Sequence, residues 1–353
     1  MPVLTRLIPS PVVVDISRGA LDDLAGLLAD QRISSSGRLA VAISDGSGQV
    51  LRERLAPDLP GADWFSVADG TIDSAVRLAD GIKGKRYDAV VAVGGGKIID
   101  VTKYAAARVG LPMVAVATNL SHDGLCSPVA TLDNDNGRGS YGVPTPIAVV
   151  IDLDVIRDAP VRFVRSGIGD AISNLSAIAD WELSHRTNGE QVDGLAAAMA
   201  RTAGEAVLRH PGGAGDDEFL TVLAEALVLT GIAMSISGDT RPSSGACHEI
   251  SHAFDLLYPK RAALHGEQVG IGAAFAMHLR GAHEESHLFT EVLHRHGLPV
   301  LPEEIGFTVE EFVRAVAYAP QTRPGRFTIL EHLDLSTDQI RDAYADYAKT
   351  ISS

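Results

Sequence analysis

Over roughly the first 150 residues, apolar positions come in short continuous runs separated by stretches with helical spacing. The runs VVVDI near 12–16, LAVAIS at 39–44, DAVVAVGGG at 88–96, PMVAVAT at 112–118 and IAVVID at 147–152 predict strands. They do not alternate with polar residues, which is the pattern of parallel strands covered on both faces. Between them, ALDDLAGLLADQ, TIDSAVRLADGI and KIIDVTKYAAARV space their apolar residues as helices do. Strand–helix alternation of this kind predicts an α/β half built on a Rossmann-like, doubly wound sheet. The stretch SHDGLCSPVATLDNDNGRGSYG (121–142) breaks the rhythm. Its Asn, Asp and Gly residues at 133–139 signal a turn joining a small hairpin.

After Asp158-Ala159-Pro160 the pattern changes. From Phe163 onward only helical spacings remain: a helix closed by WELSHR, then GLAAAMARTAGEAVLRH, DDEFLTVLAEALVLTGIAMSIS, GACHEISHAFDLLY, GEQVGIGAAFAMHLR and an amphipathic stretch near 336–350. The expected division is an α/β domain over 1–158 and an all-α domain over 159–353, with ligands bound in the cleft between. No repeat or low-complexity segment interrupts either half.

Composition narrows this picture without altering it. With 46% hydrophobic and 21% charged residues, 353 residues can bury a sizeable core. The net charge of −15 is spread along the chain, which argues against nucleic acid or an anionic membrane as partner. An anionic ligand would have to be drawn in by local donors. Cys126 and Cys247 form no CxxC pair, so no disulfide framework is expected and a cytosolic chain is the natural reading. The start, MPVLTRLIPSPVVV, lacks the charged-then-apolar pattern of a signal peptide. No uncharged apolar run reaches the ~18–20 residues of a membrane span.

Two groups of residues carry candidate chemistry. The first is GGGKIID at Gly94–Asp100, which ends a predicted strand and opens a helix. Bare backbone N–H groups at a helix N-terminus suit a phosphate. The same glycines also suit a tight strand-to-helix connection that binds nothing. Asp45, at the end of an earlier strand, is placed to accept from a ribose hydroxyl or simply to stabilise a turn.

The second group is Asp170, His248 and His265, in SGIGDAISN, SSGACHEISHAFD and AALHGEQVG. A carboxylate with two neutral imidazoles suits a divalent metal of the zinc, nickel or iron type, and three protein ligands leave a position open for catalysis. Helix capping and core hydrogen bonding are the alternatives for the same residues. His248 and His252 share one helix face, so HEISH matches the HExxH of zinc proteases, but a protease has no use for a dinucleotide-like half. His122 and Asp123 follow a strand at the carboxyl edge of the predicted sheet, where ligands gather.

Taken together, VAVGGGKIIDVTKYAA, ATNLSHDGLCSPVA, SGIGDAISNLSAIADWELS, RPSSGACHEISHAFD and ALHGEQVGIG resemble the sn-glycerol-1-phosphate dehydrogenases. These sit in a larger group with glycerol dehydrogenases, iron-dependent alcohol dehydrogenases and 3-dehydroquinate synthases. The resemblance implies a dinucleotide-binding domain over 1–158 and a helical metal- and substrate-binding domain over 159–353. NAD or NADP would lie on Gly94, Gly95, Gly96, Lys97, Ile98 and Asp100, with Thr118, Asn119, Ser121, Ser127 and Asp45. Asp170, His248 and His265 would bind one divalent metal, zinc by preference, with nickel or iron as alternatives. Asp123 and His252 would act at the substrate, and Cys247, beside a ligand, would be a buried packing residue or an extra soft ligand. The implied reaction is hydride transfer between NAD(P)H and dihydroxyacetone phosphate in a homo-oligomeric enzyme. Other polyol or polyol-phosphate dehydrogenases, a dehydroquinate synthase-type lyase and a nucleotide-sensing module are the competing readings. For the substrate phosphate, Arg241, Lys260 and Arg261 are the basic residues nearest the motifs in sequence.

Overall fold

The strand runs assemble into one six-stranded parallel sheet in the computed structural model of the chain, which describes residues 8–46, 48–135, 137–261 and 263–352. The first seven residues, part of the N-terminal stretch considered above, lie outside the described range. Strands β1 (Val13–Ser17), β2 (Leu39–Ser44), β3 (Ala62–Val67), β4 (Ala89–Gly94), β5 (Met113–Ala117) and β8 (Ala148–Asp152) lie in the order β1-β8-β5-β4-β2-β3. A separate antiparallel hairpin joins β6 (Val129–Asn134) to β7 (Gly137–Gly142), as the turn residues predicted.

Strands β4, β5 and β8 are buried throughout, and β2 in all but its last residue, which is why they read as unbroken apolar runs. Edge strand β3 was missed by pattern reading. Of its sequence ADWFSV only Val67 is fully buried, so no apolar run marks it. Going along the chain, the sheet grows outward from β2 to β3, then returns to β4 on the other side of β2 and continues to β5 and β8. The direction therefore reverses between β2 and β4, the kind of crevice where open α/β sheets bind ligands.

Helices α1 (Leu24–Leu28), α2 (Gly48–Leu55), α3 (Ile72–Ile82) and α4 (Gly96–Val109) connect the strands, and α5 (Leu153–Asp158) follows β8. Helix α1 is shorter than the twelve-residue pattern predicted; its run contains Gly26, and a glycine costs a helix about 1 kcal/mol relative to alanine. Helix α3 starts where Thr71 accepts from the Ser74 N–H, an N-cap in its usual form.

The second half is helical among the described residues: α6 (Val161–Asn188), α7 (Gly194–Arg209), α8 (Asp217–Ser237), α9 (Ala246–Leu257), α10 (His265–Leu279), α11 (His283–Arg295), α12 (Val309–Tyr318), α13 (Ile329–Leu333) and α14 (Thr337–Ser352). Helix α8, interrupted only by Glu225 after its first turn, is long and apolar enough to cross a membrane by length and composition, yet 72% of that window is buried inside the protein. It is a core helix by that measure.

The contacts divide the chain into two compact units that are not continuous in sequence. One contains the residues up to Asn119, Gly124–Ile156 and Gly231–Asp239; the other contains Leu120–Asp123, Arg157–Thr230 and the residues from Thr240 onward. Asp123 thus belongs with the helices rather than the sheet.

Candidate metal centre and glycine turn

Asp170 lies in α6, His248 in α9 and His265 at the first position of α10. Nothing in their sequence separation requires these helices to meet so closely. Glycines allow it. A Cβ on Gly266 would lie 1.7 Å from the Ser166 carbonyl oxygen, and one on Gly169 would lie 2.1 Å from the Gly266 carbonyl oxygen. Helices α6 and α10 therefore touch backbone to backbone beside Asp170 and His265. The Gly266 N–H donates to Ser166 Oγ at 3.0 Å, and Ser166 Oγ donates to the Ser121 carbonyl at 2.9 Å. Gly167 makes a similar gap for the Leu120 carbonyl, which brings the 120–123 segment to the same place.

Replacing Gly266 with alanine should separate the two helices. Overpacking costs about 1–3 kcal/mol, occasionally more. We expect a lower denaturation midpoint together with reduced metal content, although the substitution leaves Asp170, His248 and His265 themselves unchanged.

One donor atom from each of Asp170, His248 and His265 lies within 4.8 Å of the other two. Asp170 Oδ1 is 3.8 Å from His248 Nε2 and 3.6 Å from His265 Nε2. For comparison, ligand atoms about 2.0–2.1 Å from a tetrahedral zinc stand roughly 3.3 Å apart. The other carboxylate oxygen of Asp170 accepts the Asp123 N–H at 2.8 Å. Burial, and then the Asp123 charge, pushes the Asp170 carboxyl well above its ordinary value. Burial, followed by the charges of His265, His252, Arg323 and Arg326, holds His248 well below its ordinary value and so neutral. A buried carboxyl facing two imidazoles, one of them held neutral, is an expensive arrangement without a cation and a suitable one with it. The residues present therefore fit a divalent metal.

The far sides of both imidazoles support the same fit. Ser251 Oγ donates to Gln268 Oε1 at 2.6 Å, so it accepts from His265 Nδ1–H at 3.2 Å, and Nε2 is left with its lone pair. His248 Nδ1 meets Cys247 Sγ at 3.3 Å. Nδ1 is the nitrogen opposite the Nε2 that faces Asp170, so Cys247 backs the imidazole from behind, and burial pushes its thiol up to about 12.

His252 sits one ring further along α9, its centroid 6.5 Å from that of His248. The Nε–H of Arg323 donates to His252 Nδ1 at 3.5 Å, a long bond. His122 approaches His265 edge-on, with centroids 6.3 Å apart. Glu249, the carboxylate of the HEISH string, is buried with its Oε2 at Thr328 Oγ1. It belongs to the packing between α9 and α13. Of the basic residues chosen by sequence proximity, none stands at this site with a side chain available to it. Arg241 is buried in a pair with Glu190 and donates to the Phe327 carbonyl at 2.9 Å; Arg261 is paired with Glu311 on the surface; Lys260 is exposed. Arg323 and Arg326, which sequence reading did not single out, are the basic groups that act on His248.

The glycine turn lies at the end of β4, beside the reversal point of the sheet. Gly95 caps α4 without a side-chain bond; its carbonyl takes the Ile98 and Ile99 N–H groups at 3.0 and 3.1 Å, which leaves those of Gly96 and Lys97 without an intrahelical partner. A Cβ at Gly95 would lie 2.3 Å from Asn119 Nδ2, and one at Gly94 would lie 2.7 Å from Ile98. Packing therefore favours glycine at position 94 whatever binds there, while at position 95 the neighbour is the end of the Asn119 side chain. Asn119 Oδ1 is buried beside the turn without a hydrogen-bond partner, an acceptor that a ligand N–H or O–H would satisfy. Lys97 is exposed, and Thr118 donates its N–H to the Gly94 carbonyl at 3.1 Å. Asp45 is exposed at the end of β2, on the other side of the reversal point from Gly94.

Two residues of the expected cofactor set are placed differently. Asp100 is buried, paired with Lys103 Nζ at 3.0 Å and accepting the Thr131 N–H. Ser127 is also buried, its Oγ on the Val129 carbonyl and 3.4 Å from Lys103 Nζ. Both belong to a buried lysine staple that ties α4 to the 124–131 segment. That staple is invisible in sequence because nothing in KIIDVTK shows Lys103 turning inward.

Residues 15–160 match the iron-containing alcohol dehydrogenase family. The chain is 36% identical to glycerol-1-phosphate dehydrogenase [NAD(P)+] of Hyperthermus butylicus over 325 residues, covering 91% of this chain and 92% of the relative. It is 42% identical to the protein of the same name from Pyrococcus abyssi, over 68% of this chain and 69% of that one. Among solved structures, a probable glycerol dehydrogenase from Sinorhizobium meliloti superimposes with a TM-score of 0.77 at 24% identity, covering 99% of both chains. Glycerol dehydrogenase from Schizosaccharomyces pombe gives the same score at 22% identity, over 99% of this chain and 91% of that one. These two establish the fold.

Proposed function

The chain belongs to the glycerol-1-phosphate dehydrogenase family, and from that premise we propose that it reversibly transfers hydride between NAD(P)H and dihydroxyacetone phosphate, giving sn-glycerol 1-phosphate. The observation that carries this reading is the convergence of Asp170, His248 and His265 within the helical unit of a chain that has this ancestry. The sheet unit takes the dinucleotide and the helical unit takes metal and substrate.

In this reading Asp170, His248 and His265 hold one divalent metal, and the neutral imidazoles with a single carboxylate favour zinc. When bound, that cation supplies Lewis-acid polarisation of the substrate carbonyl and balances the negative charge that develops as hydride arrives. The protein's own groups do the rest. Ser251 and Gln268 hold His265 in the ligating tautomer, and Cys247 backs His248. Arg323 donates to His252 Nδ1, which leaves the Nε2–H of His252 as a donor, and His252 is the proposed hydrogen-bonding contact to the substrate oxygen. Asp123, fixed through its backbone to Asp170, is the proposed contact to the substrate hydroxyl.

On the cofactor side, the N-terminus of α4 receives the pyrophosphate and the unsatisfied Asn119 Oδ1 accepts from the dinucleotide. Asp45 at the opposite lip of the crevice favours NAD, since its carboxylate repels a 2′-phosphate. Asp100 and Ser127 support this surface from beneath through Lys103. A cytoplasmic location accords with the nicotinamide cofactor and with two buried cysteines that form no disulfide.

Treatment with a chelator should abolish dihydroxyacetone-phosphate-dependent oxidation of NADH, followed at the nicotinamide absorbance, and zinc or nickel should restore it. Unchanged turnover after metal removal verified by elemental analysis would overturn this mechanism.

A further inference from the structure

Resting on the functional reading above, we propose that Arg323 and Arg326 form the site that recognises the substrate's phosphate and so sets selectivity for phosphorylated over free ketones. The segment that carries them, Gln321-Thr322-Arg323-Pro324-Gly325-Arg326-Phe327, begins in the short 3-10 turn after α12, and its Thr322 is pinned against the start of α9. Thr322 Oγ1 donates to the Glu249 carbonyl at 3.5 Å, and Arg241 donates to the Phe327 carbonyl at 2.9 Å. Gly325, at a φ of +87°, makes the turn that brings both arginines to one side.

Both guanidinium groups converge on one atom. Thr240 Oγ1 accepts from Arg323 Nη1 at 3.1 Å and from Arg326 Nη2 at 3.0 Å. Arg326 Nη1 also donates to the Ser244 carbonyl. Two like charges drawn to a single hydroxyl repel each other, and a phosphate dianion beside them removes that cost. Guanidinium is the side chain whose fixed fork of donors best matches phosphate oxygens. The same turn, Thr240 to Gly245, holds Ser244, whose hydroxyl is buried without a partner.

The position fits as well as the charge. Arg323 Nε lies 3.5 Å from His252 Nδ1, and His252 is the next ring along α9 from the ligand His248. A short substrate whose carbonyl lies at Asp170, His248 and His265 would carry its phosphate past His252 toward these arginines. This also answers the charge problem posed by composition. A chain of net charge −15 repels a dianion at long range, and a pair of arginines supplies attraction where it is needed.

The test compares kcat/KM for dihydroxyacetone phosphate and for dihydroxyacetone in the metal-loaded wild type and in Arg323→Gln, Arg326→Gln and Arg323→Lys. The ratio of the two constants is the readout, because a purely structural role lowers both together and leaves the ratio in place. We expect each glutamine variant to lower the ratio about 10- to 100-fold, the range for charge-assisted hydrogen bonds, and lysine to restore part of it. A wild type that prefers the phosphate ester, with its ratio intact in both glutamine variants, overturns the arginine assignment alone. A wild type with no such preference overturns the functional reading beneath it.

Discussion

The His265→Ala variant should purify folded, without stoichiometric metal, and with kcat/KM for dihydroxyacetone phosphate reduced about a thousandfold or more. Of the three proposed ligands, His265 is the informative one to remove. Its side chain is 27% exposed, against 9% for His248, so truncation leaves little cavity and little loss of packing. His248 would confound lost metal with a lost core residue. Removal of His265 leaves Asp170 and His248, two ligands where a catalytic zinc normally has three. Elemental analysis should show the missing metal, and circular dichroism and thermal melting close to wild type would show that the fold has survived. Full metal content and near-normal turnover in this variant would mean that the three side chains converge for a reason other than catalysis. The contrast with Gly266→Ala is useful, since that substitution should lose metal by forcing α10 off α6 and should therefore lose stability as well.

The parts of this fold that could be read in the sequence are those where one physical requirement dominates a run of residues. Strands β2, β4, β5 and β8 are covered on both faces, so Leu39–Ser44 or Ala89–Gly94 can hardly be anything but apolar. Edge strand β3 faces no such demand, and Asp63, Trp64 and Ser66 conceal it. Strand order was not legible at all, because the reversal between β2 and β4 is a tertiary fact. It nevertheless gives Gly94 and Asp45 their common setting at the two lips of one crevice.

The candidate site divides in the same way. Asp170, His248 and His265 stood out because each has glycine or another histidine nearby, and the structure explains the glycines as contact points between helices. Basic residues were sought near the motifs in sequence, which led to Arg241, Lys260 and Arg261. Of these, Arg241 donates to the Phe327 carbonyl and so anchors the segment that carries Arg323 and Arg326. Those two arginines lie in a loop with no pattern of its own, and only the folded chain brings Arg323 to His252 and both to Thr240. Asp100 and Ser127 differ in the opposite direction. Their motif context suggested contact with a ligand, but the buried Lys103 has claimed both.

Glu249→Gln should raise thermal stability at alkaline pH and leave turnover close to wild type. In a zinc protease the glutamate of HExxH is the general base, and its loss is crippling. Here Glu249 faces Thr328, away from the imidazoles, and burial with the negative charges of Glu331 and Asp180 pushes its carboxyl up to about 9. Thr328 Oγ1 donates to Glu331 at 2.6 Å, so the protonated Glu249 donates to Thr328 in turn, and a glutamine amide can do the same. Unfolding returns Glu249 to its ordinary value of 4.5, so the folded chain holds a proton that the unfolded chain has released. Stability is therefore complete below pH 4.5 and is lost progressively as pH rises toward 9. At pH 7 the loss is on the order of 3 kcal/mol, and glutamine does not incur it. Melting curves collected from pH 4 to 8.5 should start together at the acid end, where Glu249 is protonated in both states, and diverge with pH. By the alkaline end the variant should melt roughly 5 °C or more above wild type. Parallel curves across that range would mean that Glu249 is ionised in the folded protein, and a collapse of turnover would return it to the active site as a base.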